Sequence, residues 1–582
     1  MQIRQLDIRH FRGFRSLSVK PSGHVLLIGQ PRAGRSDVVE ALTRVLDPDS
    51  TRVTLVGDLD FFSRDTSMRA EVEVVLGDLG AELEQRFFDQ IEFWDSDSHC
   101  LLAPTGPGEQ IPGTSEPVVR LCYRAEWQEE EHAADHWVDF PKFSVPETGD
   151  FARVSRTNRA ALPFERIGSS GNPLRLNPRS AFRNVLSLVE GDDFPETLEA
   201  VIEDIRTASD HLTDSSQVQA ALLEVFRDVA LPLRLGDRPP SDHVSFVPDD
   251  GSMASLLRSF SSNVDLGDEV GQLPLSRHGS TTQALIATGE ALAATKNGVD
   301  LIVVDDFGEG MDAASAGFAA QMLRKSTSQA WVSTRRASVA EGFRASEIVR
   351  LTRADDSLRT AFRGTEPTSK AERLAARHTT LQLLPALAAR ALIIVEGPHD
   401  HAAYQALAAK LYEEEGIHPP GAHGVHLIHA GAADSSGGSG AIPRLADAAR
   451  ALGFRVACVI DYDGEDAQTQ EELRANLNAA DAVVRLPHRV AIERALVSGV
   501  PSTTLRNVLV DLNSAFGLSI DVAAATDPDL EKLAVRMLKL SGGLHAQFVQ
   551  ALPFRCSPAI AHQVLEKSLL AAIGRLQGHQ QL

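Results

Sequence analysis

Cysteine is scarce in this chain. Four residues, Cys100, Cys122, Cys458 and Cys556, lie scattered through 582 positions without metal-ligand spacing. That usage points to a reducing compartment and argues against a disulfide framework or a thiolate zinc site. Long apolar runs are missing too: no stretch approaches the roughly 18 uncharged apolar residues that a membrane helix needs. The opening MQIRQLDIRHFRGF lacks the apolar block of a secretion signal, so the expected location is cytoplasmic, with no membrane partner. Positive charge is outweighed, 57 Lys and Arg against 79 Asp and Glu, for a net charge of -22. This excludes a uniformly basic coat for nucleic acid, but not an enzyme that meets a polyanion through a local basic face or bound cations. No zinc-finger, basic-zipper or aromatic RNA-binding pattern occurs, so sequence-specific recognition is not expected.

What is present is organised. At 582 residues and 43% hydrophobic content, roughly two to four domains are expected. The fold class predicted is α/β. Residues 1–130 and 241–370 read as two parts of one nucleotide-binding domain, interrupted by a mostly helical insertion over 131–240, as in ETLEAVIEDIR and SQVQAALLEVFRDVA. After the Pro/Thr/Ser-bearing RGTEPTSKAERLAA, residues 385–500 alternate apolar strands with helices at the spacing of a small parallel α/β domain. Residues 501–582 read as helical.

The stretch GQPRAGRSD follows the apolar VLLI and opens a helix, with Gly29, Gly34, Arg35 and Ser36 at phosphate-loop spacing. Glycines let the backbone wrap phosphates, the helix start supplies positive field, and the Ser36 hydroxyl suits magnesium. Arg35 stands where lysine is usual, a flatter and bulkier cation. Far along the chain, LIVVDDFGEG ends an apolar strand in Asp305 and Asp306, and WVSTRR ends another in Thr334 and Arg335. Carboxylates at such a strand end can hold magnesium and an attacking water.

These segments resemble an ABC-type ATPase of the SMC and RecF kind. The matching parts are FRGF (Phe11 to Phe14), the phosphate loop, a long insertion, LSRHGSTTQ (Leu275 to Gln283) with Ser276 and Gly279 in the signature position, VVDD, and STRR as the switch. The resemblance implies ATP with Mg2+ at Gly29, Gly34, Arg35, Ser36, Asp305, Asp306 and Arg335. It also implies a dimer in which the signature reaches the other subunit's nucleotide. Arg35, Asp306 and Arg335 depart from the family's usual lysine, glutamate and histidine, and imply weakened or rearranged hydrolysis.

A second chemistry begins at LIIVEGPHD. Glu396 follows a buried strand and Asp400 lies in the first turn of the next helix; VACVIDYDGED then ends another apolar strand in Asp461, with Asp463 two residues on. In α/β folds such positions converge at the C-terminal edge of the parallel sheet. Crowded carboxylates repel and their pKa values rise unless cations are present. An oxygen-rich set selects Mg2+ or Mn2+, and two such ions suit phosphodiester hydrolysis. Glu493, in RLPHRVAIERAL, is a further expected ligand, while His399 and His401 read as helix-start residues.

This half resembles the Toprim domain, with Glu396 at its glutamate and Asp461 and Asp463 at its DxD pair. Joined behind an ABC-type ATPase, it resembles the OLD (overcoming lysogenization defect) nucleases, whose extra acidic positions are matched by Asp400 and Glu493. The resemblance implies a basic residue beyond the acidic cluster, with Lys539 and His545 as candidates. Its expected activity is a divalent-metal-dependent DNA endonuclease, nicking and with exonuclease action, acting in DNA repair or phage defence. DNA, a second copy of the chain and an accessory protein such as a helicase are the expected partners. The alternatives are an ATP-dependent SMC-like DNA-binding scaffold with a non-catalytic Toprim fold, and a topoisomerase- or primase-like enzyme. An arginine-rich stretch from Arg324 to Arg390 reads as a candidate track for DNA phosphates.

Overall fold

The computed structural model describes the chain except for residues 103–112, 168–172, 175–181, 183–214, 234–238, 240–242, 248–260, 268–270, 297–298, 354–358, 365–381, 432–438, 462–474, 476–477, 487–489, 519, 541–542 and 557–582. Two compact units divide between Arg363 and Gly364.

The first unit holds strands β1 (Gln2–Phe11), β2 (Phe14–Val19), β3 (Val25–Gly29), β4 (Ala70–Gly77), β5 (Glu92–Asp95), β6 (Cys100–Leu101), β7 (Ser115–Gln128), β8 (Ala133–Asp139), β9 (Phe164–Ile167), β10 (Val244–Val247), β11 (Ser261–Val264), β12 (Leu273–Pro274), β13 (Leu301–Val304), β14 (Gln329–Ser333), β15 (Ile348–Arg353) and β16 (Arg359–Arg363). Its longer helices are α1 (Arg35–Leu46), α2 (Ser216–Phe226), α3 (Ser280–Lys296) and α4 (Ala313–Ser326). One sheet runs β2-β1-β4-β7-β5-β6 with β8 on β7; a second runs β16-β15-β3-β14-β13-β9; a small third is β10-β11-β12.

The two larger sheets follow different patterns. β1 and β4 alternate buried and half-exposed positions and pair antiparallel, which suits a sheet with one face in the core. β3, β13 and β14 are buried throughout and pair in parallel, as strands covered on both faces must be. Helix α1 lies between the sheets: Val38, Leu42 and Val45 share a core with Ile8, Val72 and Leu121 on one side and Leu301, Val303 and Trp331 on the other. Roughly 1.5–3 kcal/mol for each such buried side chain holds α1 and the Gly29–Ser36 loop ahead of it between two rigid layers.

Within 131–240 the described residues include strands as well as helix. β8 extends the antiparallel sheet and β9 joins the parallel one beside β13, while SQVQAALLEVF forms α2; ETLEAVIEDIR lies outside the described residues.

The second unit is a four-stranded parallel sheet, ordered β18-β17-β19-β20, with β17 (Ala391–Val395), β18 (Val425–His429), β19 (Arg455–Ile460) and β20 (Ala482–Arg485). Helix α5 (Pro398–Glu415) crosses from β17 to β18 and α6 (Ile442–Ala451) from β18 to β19. From β17 the chain steps one way to β18 and then returns to β19 on the other side. Such a reversal marks the usual ligand position in open α/β sheets, beyond the C-terminal ends of β17 and β19. Helices α7 (Ile492–Val497), α8 (Ser502–Phe516), α9 (Asp527–Leu540) and α10 (His545–Ala551) complete the unit and share one core with β17 and α5. Among the described residues no helix is long and apolar enough to cross a membrane.

Candidate functional site

In the first unit, distant segments meet at one sheet edge. Gly29 (φ 144°) and Gly34 (φ 96°) adopt conformations that side chains oppose, and α1 begins immediately after them. Ser36 Oγ donates to Asp305 Oδ1 at 3.1 Å, and Ser333 Oγ donates to the same oxygen at 2.6 Å. The backbone amide of Asp306 donates to Ser333 Oγ at 2.7 Å, with Asp306 itself left-handed at φ 46°. The strand end of LIVVDD and the Gly29–Ser36 loop therefore meet.

The three unusual positions are also placed. Arg35 Nη1 donates to the loop's own Gly29 carbonyl at 2.7 Å; burial pulls its guanidinium below its ordinary pKa, with Asp306 opposing. Arg335 lies 3.4 Å from Asp306 Oδ2 and 3.4 Å from Glu309. Ser276 and Gly279 are exposed just ahead of α3, whose Ser280 and Thr281 hydroxyls donate to the Gly310 carbonyl. Thr334, picked out from the sequence, turns instead to the Phe307 carbonyl at 2.8 Å. The hydroxyl at the carboxylates is that of Ser333, which was missed.

The arginine-rich stretch is largely engaged inside the first unit. Arg324 pairs with Glu347, Arg350 is fully buried, Arg359 pairs with Asp37, and Arg363 donates to Ser346 and Lys20 carbonyls. Arg335, Arg344 and Arg390 of the same stretch are exposed. Arg373 and Arg377 lie outside the described residues.

In the second unit, Glu396 and Asp461 follow neighbouring strands, and the Asp461 amide donates to Glu396 Oε1 at 2.8 Å. Asp461 Oδ2 accepts from the amide of Ile492 at 3.2 Å, which ties the start of α7 to the same edge. Asp400, 9% exposed, accepts from the Gly397 amide at 2.9 Å, as the third residue of a helix does when it reaches back to the N-cap. Burial pushes its carboxyl up to about 6, with the charge of Glu493 adding to the rise.

Glu493, in the first turn of α7, is met from α9 and α10. His545 Nε2 lies 3.6 Å from one of its oxygens and Lys539 Nζ 4.0 Å from the other. Burial pushes Glu493 up, but the neighbouring His545 and the charge of Lys539 outweigh it and leave its pKa below the ordinary value. The ring of the fully buried His545 stacks on His399 at 4.6 Å between centroids. Lys410, on α5, donates to the Val549 and Gln550 carbonyls at 3.0 and 3.3 Å and so holds the end of α10. Both basic candidates thus stand beside the expected acidic ligand. Asp463 lies outside the described residues.

The donor set around Glu396, Asp400, Asp461 and Glu493 is all oxygen, which suits Mg2+ or Mn2+. A buried carboxyl held near 6 is one that a cation would ionise. Among the described residues, however, no group of three or more His, Cys, Asp or Glu side chains is arranged to hold an ion.

The second unit thus combines a parallel sheet with acidic residues beyond two adjacent strand ends. Residues 387–463 match the family "Overcoming lysogenization defect protein-like, TOPRIM domain". Solved structures similar to the chain include the Smc head domain with an extended coiled coil bound to the C-terminal domain of ScpA, from Pyrococcus furiosus. That structure is 12% identical, with 65% of this chain and 98% of that one covered and a TM-score of 0.38. The SMC head domain from Thermotoga maritima is 12% identical, with 63% and 100% covered and a TM-score of 0.29. No curated protein matches the chain at a significant level.

Proposed function

We propose that this protein binds ATP and DNA and cuts DNA in its Toprim unit as a divalent-metal-dependent nuclease. The observation that supports cutting is the shared edge at which Glu396, Asp400, Asp461 and Glu493 stand with Lys539 and His545 beside them. Glu396, Asp400, Asp461, Asp463 and Glu493 would hold Mg2+ or Mn2+. Bound there, a pair of such ions supplies an activated water and charge neutralisation for in-line displacement at phosphorus. Lys539 would lend a lasting positive charge to the scissile phosphate, and His545 Nε2 can hand on a proton. In the first unit, Gly29 and Gly34 would wrap the phosphates of ATP while Ser36 and Asp305 hold its Mg2+. The exposed Ser276 and Gly279 suit contact with the nucleotide of a second copy. DNA repair or phage defence is the setting that such an activity fits.

A nucleotide-dependent DNA-binding scaffold with a non-catalytic Toprim fold is favoured by its own observation. The described residues contain no three-ligand group, and Glu396, Asp400 and Asp461 each accept a backbone amide, which is a structural use. DNA binding measured by gel shift in EDTA, followed by a product assay on the same protein with Mn2+ and Mg2+, separates the two. Binding and metal-dependent cleavage support the nuclease; binding with intact DNA under every metal supports the scaffold.

A further inference from the structure

Arg359, on the last strand of the first unit, reaches across the fold to the phosphate loop. Its guanidinium pairs with Asp37, in the first turn of α1, and lies over the Phe14 ring at 5.1 Å. It also occupies the space where side chains at Gly13 and Gly34 would project. A larger residue at the glycine of FRGF would have to displace this guanidinium. β15 is fixed to the same place: Leu351 pairs with Gly29, and the Arg353 carbonyl accepts from Gln30 Nε2 at 3.0 Å.

The electrostatic consequence concerns Asp37. A carboxylate in the first turn suits the helix dipole, but it opposes a second anion at the same helix start. Arg35 does not relieve this, since its guanidinium is directed to the Gly29 carbonyl. Arg12 stands 3.8 Å from Asp37 and makes its closer pair with Asp60 at 2.8 Å. We propose that Arg359 is a positioning residue of the nucleotide site. It neutralises Asp37 so that the loop keeps its positive field toward phosphates, and it braces the Gly13–Phe14 turn against Gly34. The proposal rests on the ATP-binding reading above.

The test is affinity of the full chain for a fluorescent ATP analogue with Mg2+, with thermal unfolding of each variant alongside. Arg359→Met, which keeps the stem and removes the charge, is expected to bind about 10-fold more weakly, and Asp37→Asn a few-fold more tightly. The double variant is expected to return to within about 3-fold of the parent, a coupling that a merely structural role would not produce. Arg359→Lys, which keeps the charge, should stay within about 3-fold of the parent. It decides the matter if the methionine variant unfolds: a folded lysine variant that binds poorly overturns the proposal. So does an Arg359→Met that binds like the parent, or a double variant as weak as Arg359→Met alone. A folded parent without affinity for the analogue overturns the ATP-binding reading and this proposal together.

Discussion

The backbone amide of Asp461 donates to the Glu396 carboxylate at 2.8 Å across 65 residues of sequence. Two strand ends are thereby fixed side by side at the point where the sheet reverses its order. The contact separates structure from chemistry, because an amide oxygen can accept that hydrogen bond without carrying charge. Glu396→Gln is expected to keep the fold, with stability within about 1 kcal/mol of the parent. Metal-dependent cleavage should fall by roughly 100-fold or more. Thermal unfolding and product formation on the same preparation check both halves.

Ser36 and Asp305 meet at 3.1 Å across 269 residues, with Ser333 closing on the same oxygen. Ser36→Ala should weaken Mg2+-dependent ATP binding by about 10-fold while leaving metal-free binding nearly unchanged. Calorimetry with and without Mg2+ reads the difference.

Glu290 is buried within α3 and accepts from the Leu174 amide; burial pushes its carboxyl up to about 8. Between its ordinary value of 4.5 and about 8, the folded chain holds a proton that the unfolded chain has released. Stability should therefore fall as pH rises through that window. Glu290→Gln, which retains an acceptor for Leu174, should match the parent near pH 4.5 and exceed it by on the order of 2–4 kcal/mol at pH 8. Denaturant unfolding at the two pH values tests this.

Asp139 is fully buried and pairs with Arg124 at 2.7 Å between β8 and β7. Asp139→Ala leaves the guanidinium with Glu71 alone and should cost about 1–3 kcal/mol. A drop in the unfolding midpoint with unchanged helix content is the expected result.

Much of this arrangement was legible in the residues because it follows periodicity. Glu396, Asp305 and Asp461 each follow an apolar run that forms a strand, and parallel sheets gather such ends on one edge. The turn from β3 into α1 was legible from its glycine spacing and its strand-to-helix setting. Other features depend on contacts that local pattern does not encode. In β14 both faces are buried, so alternation could not show whether Ser333 or Thr334 faces the carboxylates. β9 is four residues bounded by proline, too short for a period to emerge. Arg359 read as one arginine among many because its partner Asp37 is 322 residues away. The stack of His399 on His545 depends on how α10 docks against α5, where Lys410 holds the helix end.

The most direct test of the central claim is cleavage of supercoiled and linear DNA by the full chain in Mg2+, Mn2+ or EDTA, beside Asp461→Ala. Nicking or degradation that requires metal and is lost in the folded variant is the predicted result, and it locates the chemistry at the β17–β19 edge. A parent that binds DNA yet leaves it intact under every metal, or an Asp461→Ala chain that cuts as the parent does, would contradict the account.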